Sequence, residues 1–300
     1  MQFYLKCLTL LAIAASCISF LRICTDGFNY FGKTVKSQLP TLDIVVSMYK
    51  EDLNKTYDML EEIKALELLK NLTITTYVYT KDHEANLEKV QRGLNTTHVS
   101  VLVNAGREAG TYFTHILRHW NNLAKHTMFI QADMHELDGA KNRITDWFRP
   151  NSGVLPLGQL ESCDCVNCRD SWDDTRTFPR IEELYSALNG EFCPGRIALS
   201  YFGQIVVSAS RIRSRHRNIY QYLKSVLESD MDHFIHSDPR QGMFSDEGTN
   251  PYFGHTIERS YMVLWNCADD GIAKRCGGLS SLRSRRTSDQ SDDHCQCIDQ

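Results

Sequence analysis

Apolar positions recur along this chain in two alternating periods, which set the order of the predicted elements. Residues 42–49 form a near-continuous apolar run, the pattern of a strand covered on both faces. Leu53, Tyr57, Leu60, Ile63, Leu66 and Leu69 then recur at helical spacing. Residues 72–79 alternate and are rich in β-branched side chains, so they predict a second strand, and 99–103 predict a third. Tyr112, Phe113, Ile116, Leu117, Trp120 and Leu123 mark a helix over 111–123, and 127–130 read as a short buried strand. Strand, helix, strand, strand, helix, strand is the order of an α/β fold, here one Rossmann-like domain with a mostly parallel sheet.

The second half is less periodic. Residues 144–148 close a helix, and 150–158 read as a turn-rich loop. Cys163, Cys165 and Cys168 fall in an acidic loop. Helices are predicted over 181–188, 219–227 and 257–265, with a strand at 205–207 and a loop over 237–255. From Asp269 the chain turns to Ser, Arg, Asp and Gly without periodicity, which predicts a disordered tail over 269–300. The α/β domain is thus expected to span 42–268.

Composition narrows the compartment and the partners. A net charge of −4, from 33 basic and 37 acidic residues, shows no bias towards nucleic acid, and only the end of the chain offers a basic surface. Lys6 precedes an apolar run over 8–21, which Arg22 closes. As a helix the run is roughly 21 Å long against a hydrocarbon core of roughly 30 Å, the length of a signal-peptide core. If Lys6 snorkels and residues 3–23 all insert, the segment suffices for an uncleaved single-pass anchor. Residues 1–23 are therefore expected to be a signal peptide or signal-anchor, and 24–41 a linker or stem. Three glycosylation sequons begin at Asn54, Asn71 and Asn95. Of eleven cysteines, eight lie in the second half: Cys163, Cys165, Cys168, Cys193, Cys267, Cys276, Cys295 and Cys297. An even set in an oxidising compartment implies disulfides of unspecified pairing, while Cys163, Cys165 and Cys168 with Cys193 also have a spacing that suits zinc. The expected location is the secretory pathway, in Golgi or ER membrane or secreted.

In open parallel sheets, ligands bind beyond the carboxyl ends of the strands. Residues 50–52, 104–108 and 131–136 all follow predicted strands, so they are expected to meet in one crevice. Gly106 permits close backbone approach, Arg107 suits phosphate, and Asn104 and Glu108 suit hydroxyls. Gln131 opens the last group. Asp133 and His135 offer an oxygen and a nitrogen to Mn or Mg, with His255 as a candidate third ligand; His233 and His236 lie nearby in sequence. Glu247 and Glu258 are candidate catalytic bases. The basic run from Arg211 to Arg217 reads either as an acidic-ligand patch or as a solvated helix start. No P-loop, G-x-G-x-x-G after a strand, G-x-S-x-G or H-E-x-x-H is present.

Four blocks resemble a mainly fungal family known only as a domain of unknown function. They are Asn104 to Glu108 followed by Thr111 to Ile116; Asn122-Leu123 with Phe129-Ile130-Gln131; Gly203 to Ser208; and Glu258 to Tyr261. Departures from its pattern fall at Trp120, Tyr261 and Ala132-Asp133. The same layout is similar to nucleotide-sugar glycosyltransferases of the GT-A fold, where the strand end reads D-x-D; here it reads Gln131-Ala132-Asp133. The resemblance implies a GT-A-like protein that takes a nucleotide sugar, a divalent cation and a glycan or glycoprotein acceptor. The alternative is a non-enzymatic carbohydrate- or protein-binding module that kept the fold.

Overall fold

The first apolar run forms β1, Thr41–Met48, with seven of its eight residues buried. It lies between two parallel neighbours, β2 (Thr73–Thr80) and β4 (His126–Gln131), and β2 in turn pairs in parallel with β3 (His98–Val101). The structure, a computed structural model, describes residues 41–170, 176–238, 247–276 and 285–300. The expected leader over 1–23 and the linker up to residue 40 lie outside the described residues. Among those described, no helix is long and apolar enough to cross a membrane.

The sheet has seven strands, in the order β3-β2-β1-β4-β8-β5-β9. Here β5 is Ser152–Pro156, β8 is Ile205–Ser208 and β9 is Cys297–Ile298. β8 is antiparallel to both β4 and β5, and β9 is antiparallel to β5. β1 to β5 therefore share one direction, and the sheet is mixed: a parallel core with an antiparallel flank. The expected α/β class holds.

Three expectations from the second half do not hold. Residues 150–158 contain β5, because Gly153 and Pro156 mark a strand end and a close approach rather than a turn. A Cβ on Gly153 would lie 2.5 Å from Asp299 Oδ1 and 2.9 Å from Cys297 O. The cysteine loop contains β6 (Leu160–Asp164), which pairs with β7 (Arg196–Ser200) in a separate two-stranded sheet. The tail is ordered where it is described. Residues Asp270–Cys276 are helical, and β9 closes the edge of the main sheet. Its helix buries Ile272 and Ala273 in the core, too few apolar positions to set a period, and most of what holds the segment is covalent and polar. Cys267–Cys297 and Cys276–Cys295 are disulfides. The buried Gln296 side chain donates to Trp147 O (2.5 Å) and accepts from Ser152 Oγ (2.6 Å).

Cys163–Cys168 and Cys165–Cys193 complete the set, so all eight later cysteines are disulfide-bonded and the zinc reading falls. The basic run is in part the solvated helix start: Arg213, His216 and Arg217 are exposed, and Arg217 opens the helix Arg217–Leu227, but its arginines also bond the backbone. Arg211 bonds Asp299 and Ile298 O, Arg213 bonds Trp120 O, and Arg217 bonds Leu117 O. Arg215 is buried, with Leu264 O, Val263 O and Asn266 Oδ1 as partners.

Of the helices, α1 (Leu53–Lys64) is capped by the Asp52 carboxylate, which accepts from the Asn54 and Lys55 amides. It stops short of Leu66 and Leu69, which join a 3₁₀ turn, Glu67–Leu69. α2 spans Leu87–Gly93, and α3 spans Arg107–Arg118, beginning earlier than its apolar stripe suggests. α3 lies over β1 on an unusually polar sheet face. Ser47 bonds Thr111 (2.9 Å), and Tyr79 Oη shares a 3.1 Å hydrogen bond with the fully buried His115. Burial pushes the His115 pKa down, despite Asp43 nearby, so the ring is held neutral. These buried bonds fix the direction of α3 and thus the place of its first turn.

Candidate functional site

Four strand ends converge on one open crevice of about 480 Å³, within the size range of small-ligand sites. The end of β1 contributes Ser47, Tyr49 and Glu51, and the residue after β2 contributes Lys81. The loop after β3 contributes Asn104, Arg107 and Glu108, and the end of β4 contributes Gln131, Asp133 and His135. The three strand-end groups expected to meet do meet. A fourth participant, Lys81, joins them.

Lys81 is 5% exposed. Its Nζ donates to Ala105 O (2.6 Å) and to Arg107 O, which holds the start of α3 against β2. An ammonium has three donors, so these two carbonyls leave one over, and Lys81 is among the residues that line the crevice. Burial lowers its pKa to about 8, with Glu108 and Glu228 pulling the other way. The signal that could have found it was positional: it directly follows a strand of the parallel core, like the groups that were singled out.

The first turn of α3 is built on left-handed backbone. Gly106 has φ 65° and Arg107 has φ 50°, a conformation that is costly for a side-chain-bearing residue. Gly106 is close to Leu227, whose Cβ a side chain there would meet at 3.0 Å. The Gly106 amide donates to Gly248 O (3.2 Å), tying the helix start to the loop that carries Thr249 into the crevice. Glu108 is buried, and its Oε1 has no hydrogen-bond partner.

Arg107 lines the crevice but is not a free surface arginine. It pairs with Glu108 (3.3 Å) and Glu258 (3.5 Å), and Nη1 lies 2.6 Å from His255 Nε2. Burial works against its charge, but the two carboxylates outweigh that and raise its pKa. Burial, then Arg107, takes the His255 pKa down to about 3, so the imidazole is neutral and accepts from the guanidinium. Glu258 is also bound to Arg259 (2.6 Å), which reaches Asp170 (3.3 Å) and stacks on Tyr201. Burial raises the Glu258 pKa, against the pull of Arg259. Arg107→Ala would leave the Glu108 and Glu258 carboxylates short of a counter-charge. We expect a loss of roughly 2–3 kcal/mol, discounted for the partial exposure of Arg107, measured by urea unfolding. An unchanged midpoint would show the ion pair to be energetically idle.

These contacts correct two site expectations. Glu258 lies behind Arg107, locked between two arginines, rather than facing the crevice as a base. His255 stands against Arg107 and away from a metal set with Asp133 and His135. Among the described residues no three His, Cys, Asp or Glu side chains are disposed to hold a metal ion. Glu247 is exposed, in a bridge with Asn250 beside Gly248 and Thr249, so it sits on the rim loop without lining the crevice. His233 caps the 3₁₀ turn Phe234–Ser237, and the His236 ring contacts Ser229.

Residues at the β4 end alternate between core and crevice. Ala132 and Met134 are buried, whereas Asp133 and His135 are exposed and Gln131 is half-buried, all three on the crevice. Ala132 N donates to Ser47 O (2.9 Å), and Gln204 holds His135 O (3.0 Å). Glu136 follows with φ 51° and leads into α4, Leu137–Trp147.

Residues 44–146 match the family described as "Protein of unknown function (DUF3431)". No curated protein matches the chain. Among solved structures it is similar to a mannosyltransferase, PcManGT from Pyrobaculum calidifontis, in complex with GDP-Man and Mn2+. The two share 14% identity over 68% of this chain and 56% of that one, with a TM-score of 0.32. It is also similar to a 4-diphosphocytidyl-2C-methyl-D-erythritol synthase, at 11% identity over 60% of this chain and 83% of that one, TM-score 0.31. The chain thus spans little more than half of the mannosyltransferase. The sheet order, a parallel core β3-β2-β1-β4 inside a mixed sheet, stands on this chain's own topology.

Proposed function

We propose that this chain is a glycosyltransferase-like protein of the secretory pathway that binds a nucleoside diphosphate sugar in the crevice and serves a glycan or glycoprotein acceptor. The observation that carries the reading is Lys81. A buried ammonium with one donor free, beside Arg107 and the first turn of a helix, is suited to a diphosphate. Glu108 lines the same wall, and a carboxylate there is suited to a ribose or sugar hydroxyl. Asn104 and Gln131 offer amide groups on the same walls. The four disulfides support an extracytoplasmic compartment.

A divalent cation would be held by Asp133 and His135, with diphosphate oxygens filling its remaining positions, as Mg and Mn sites on phosphates commonly are. Such an ion, when bound, would neutralise the charge that builds on the leaving diphosphate. Lys81 and Arg107 would orient that diphosphate and share its charge. The test is Asp133→Asn, which keeps the shape of an exposed side chain. The variant is expected to bind nucleoside diphosphate with the Mn2+-dependent gain removed. Parent-like gain with Mn2+ would sink the metal assignment.

A binding module with the same fold is the second reading. It is favoured by one observation: neither expected base, Glu247 or Glu258, lines the crevice. Glycan binding that is indifferent to nucleotide would select it.

A further inference from the structure

Because the core strands are parallel, the amino ends of β2 and β3 lie opposite the crevice, and two of the three sequons sit there. Asn71 is exposed in the turn between the 3₁₀ segment and β2, and its partner hydroxyl residue, Thr73, is the exposed first residue of β2. Asn95 is exposed in the turn between α2 and β3, at φ 48°, and Thr97 is exposed just ahead of β3. The third sequon differs. Asn54 is in the first turn of α1, at the crevice end, and Thr56 is 1% exposed, with its hydroxyl 3.0 Å from Ala132 O.

We propose that Asn71 and Asn95 are N-glycosylated, a pair of sites on the face away from the crevice. In the transfer, the Asn amide nitrogen bonds to the anomeric carbon of a lipid-diphosphate-linked oligosaccharide. It gives up one proton, and the lipid diphosphate leaves. The disulfides place the chain in the compartment where that donor class is met. The sites also have a physical use. β3 is the outer strand of the sheet, with an open ladder of backbone donors and acceptors. A bulky hydrophilic chain at Asn95, directly before it, obstructs edge-to-edge pairing with another copy.

The experiment is expression of the full chain in a eukaryotic secretory host, followed by peptide N-glycosidase in heavy-oxygen water and peptide mass analysis. The peptides carrying Asn71 and Asn95 are expected to show conversion to labelled aspartate. Thr97→Ala and Thr73→Ala, both at exposed positions, are each expected to remove one glycosidase-sensitive mass step, and Thr→Ser at either position to keep it. An unconverted peptide at either asparagine overturns the assignment for that residue. An intact mass insensitive to the glycosidase, or modification confined to Asn54, overturns the proposal.

Discussion

Lys81→Met is expected to weaken nucleoside diphosphate binding on the order of 10- to 150-fold. The range follows from the roughly 1.5–3 kcal/mol typical of a hydrogen bond to a charged group, at about 1.4 kcal/mol per tenfold. The wild-type protein carries a second signature. Its Lys81 pKa of about 8 lies below the ordinary 10.5, so between these values the unfolded chain holds a proton that the folded chain has shed. Stability therefore rises with pH across that window, and the cost of burying the ammonium is fully present below pH 8. Anion binding runs the other way. The ligand wants the ammonium, so affinity should be flat below about pH 8 and fall about tenfold per pH unit above it. In Lys81→Met that slope should vanish, while the melting temperature near pH 7 changes little because a buried charge has gone. Calorimetric titrations from pH 6.5 to 9.5 check this. A slope that persists in the variant would move the titrating group elsewhere.

A large stability effect is expected far from the crevice. Replacing Cys267 and Cys297 with serine opens a disulfide whose cysteines are 30 residues apart. Because Cys276–Cys295 is nested inside this loop and stays closed, the effective loop is about a dozen residues, and chain entropy assigns its closure roughly 2.8 kcal/mol. For a domain of this size that is a fall in Tm of roughly 6–11 °C. The double variant should also release β9 from β5, seen as faster exchange of the Asp299 amide, which donates to Asn151 O. A Tm within a degree or two of the parent would mean that Arg211, Gln296 and the second tail disulfide hold the strand by themselves.

Lys81 and the tail closed by Cys267–Cys297 mark where the sequence stops being informative. The parallel core was legible because buried strands carry continuous apolar runs and α1 and α3 carry a helical stripe. The crevice was legible because topology, not side-chain chemistry, decides where strand ends meet. Asn104, Arg107, Glu108, Gln131, Asp133 and His135 were found on that basis. Lys81 was missed although it obeys the same rule, since one lysine after a strand looks like any solvated lysine. The burial that shifts its pKa is a tertiary property. His255 and Glu258 were assigned to metal and base chemistry because residue type alone does not reveal that Arg107 would claim both. The tail was misread because a segment held by two disulfides and the buried amide of Gln296 carries no hydrophobic period.

The central claim is that this crevice takes a nucleoside diphosphate. The most direct measurement is a thermal-shift and calorimetric titration of the disulfide-intact protein with UDP and with GDP, each with and without Mn2+, at pH 7. One of the two is expected to bind, with Lys81→Met at least about tenfold weaker. Ligand at 100 times its Kd should add about 2.7 kcal/mol of stability. No shift with either nucleotide at millimolar concentration, metal present, from a protein that still binds a glycan, would contradict the account and leave the binding module in its place.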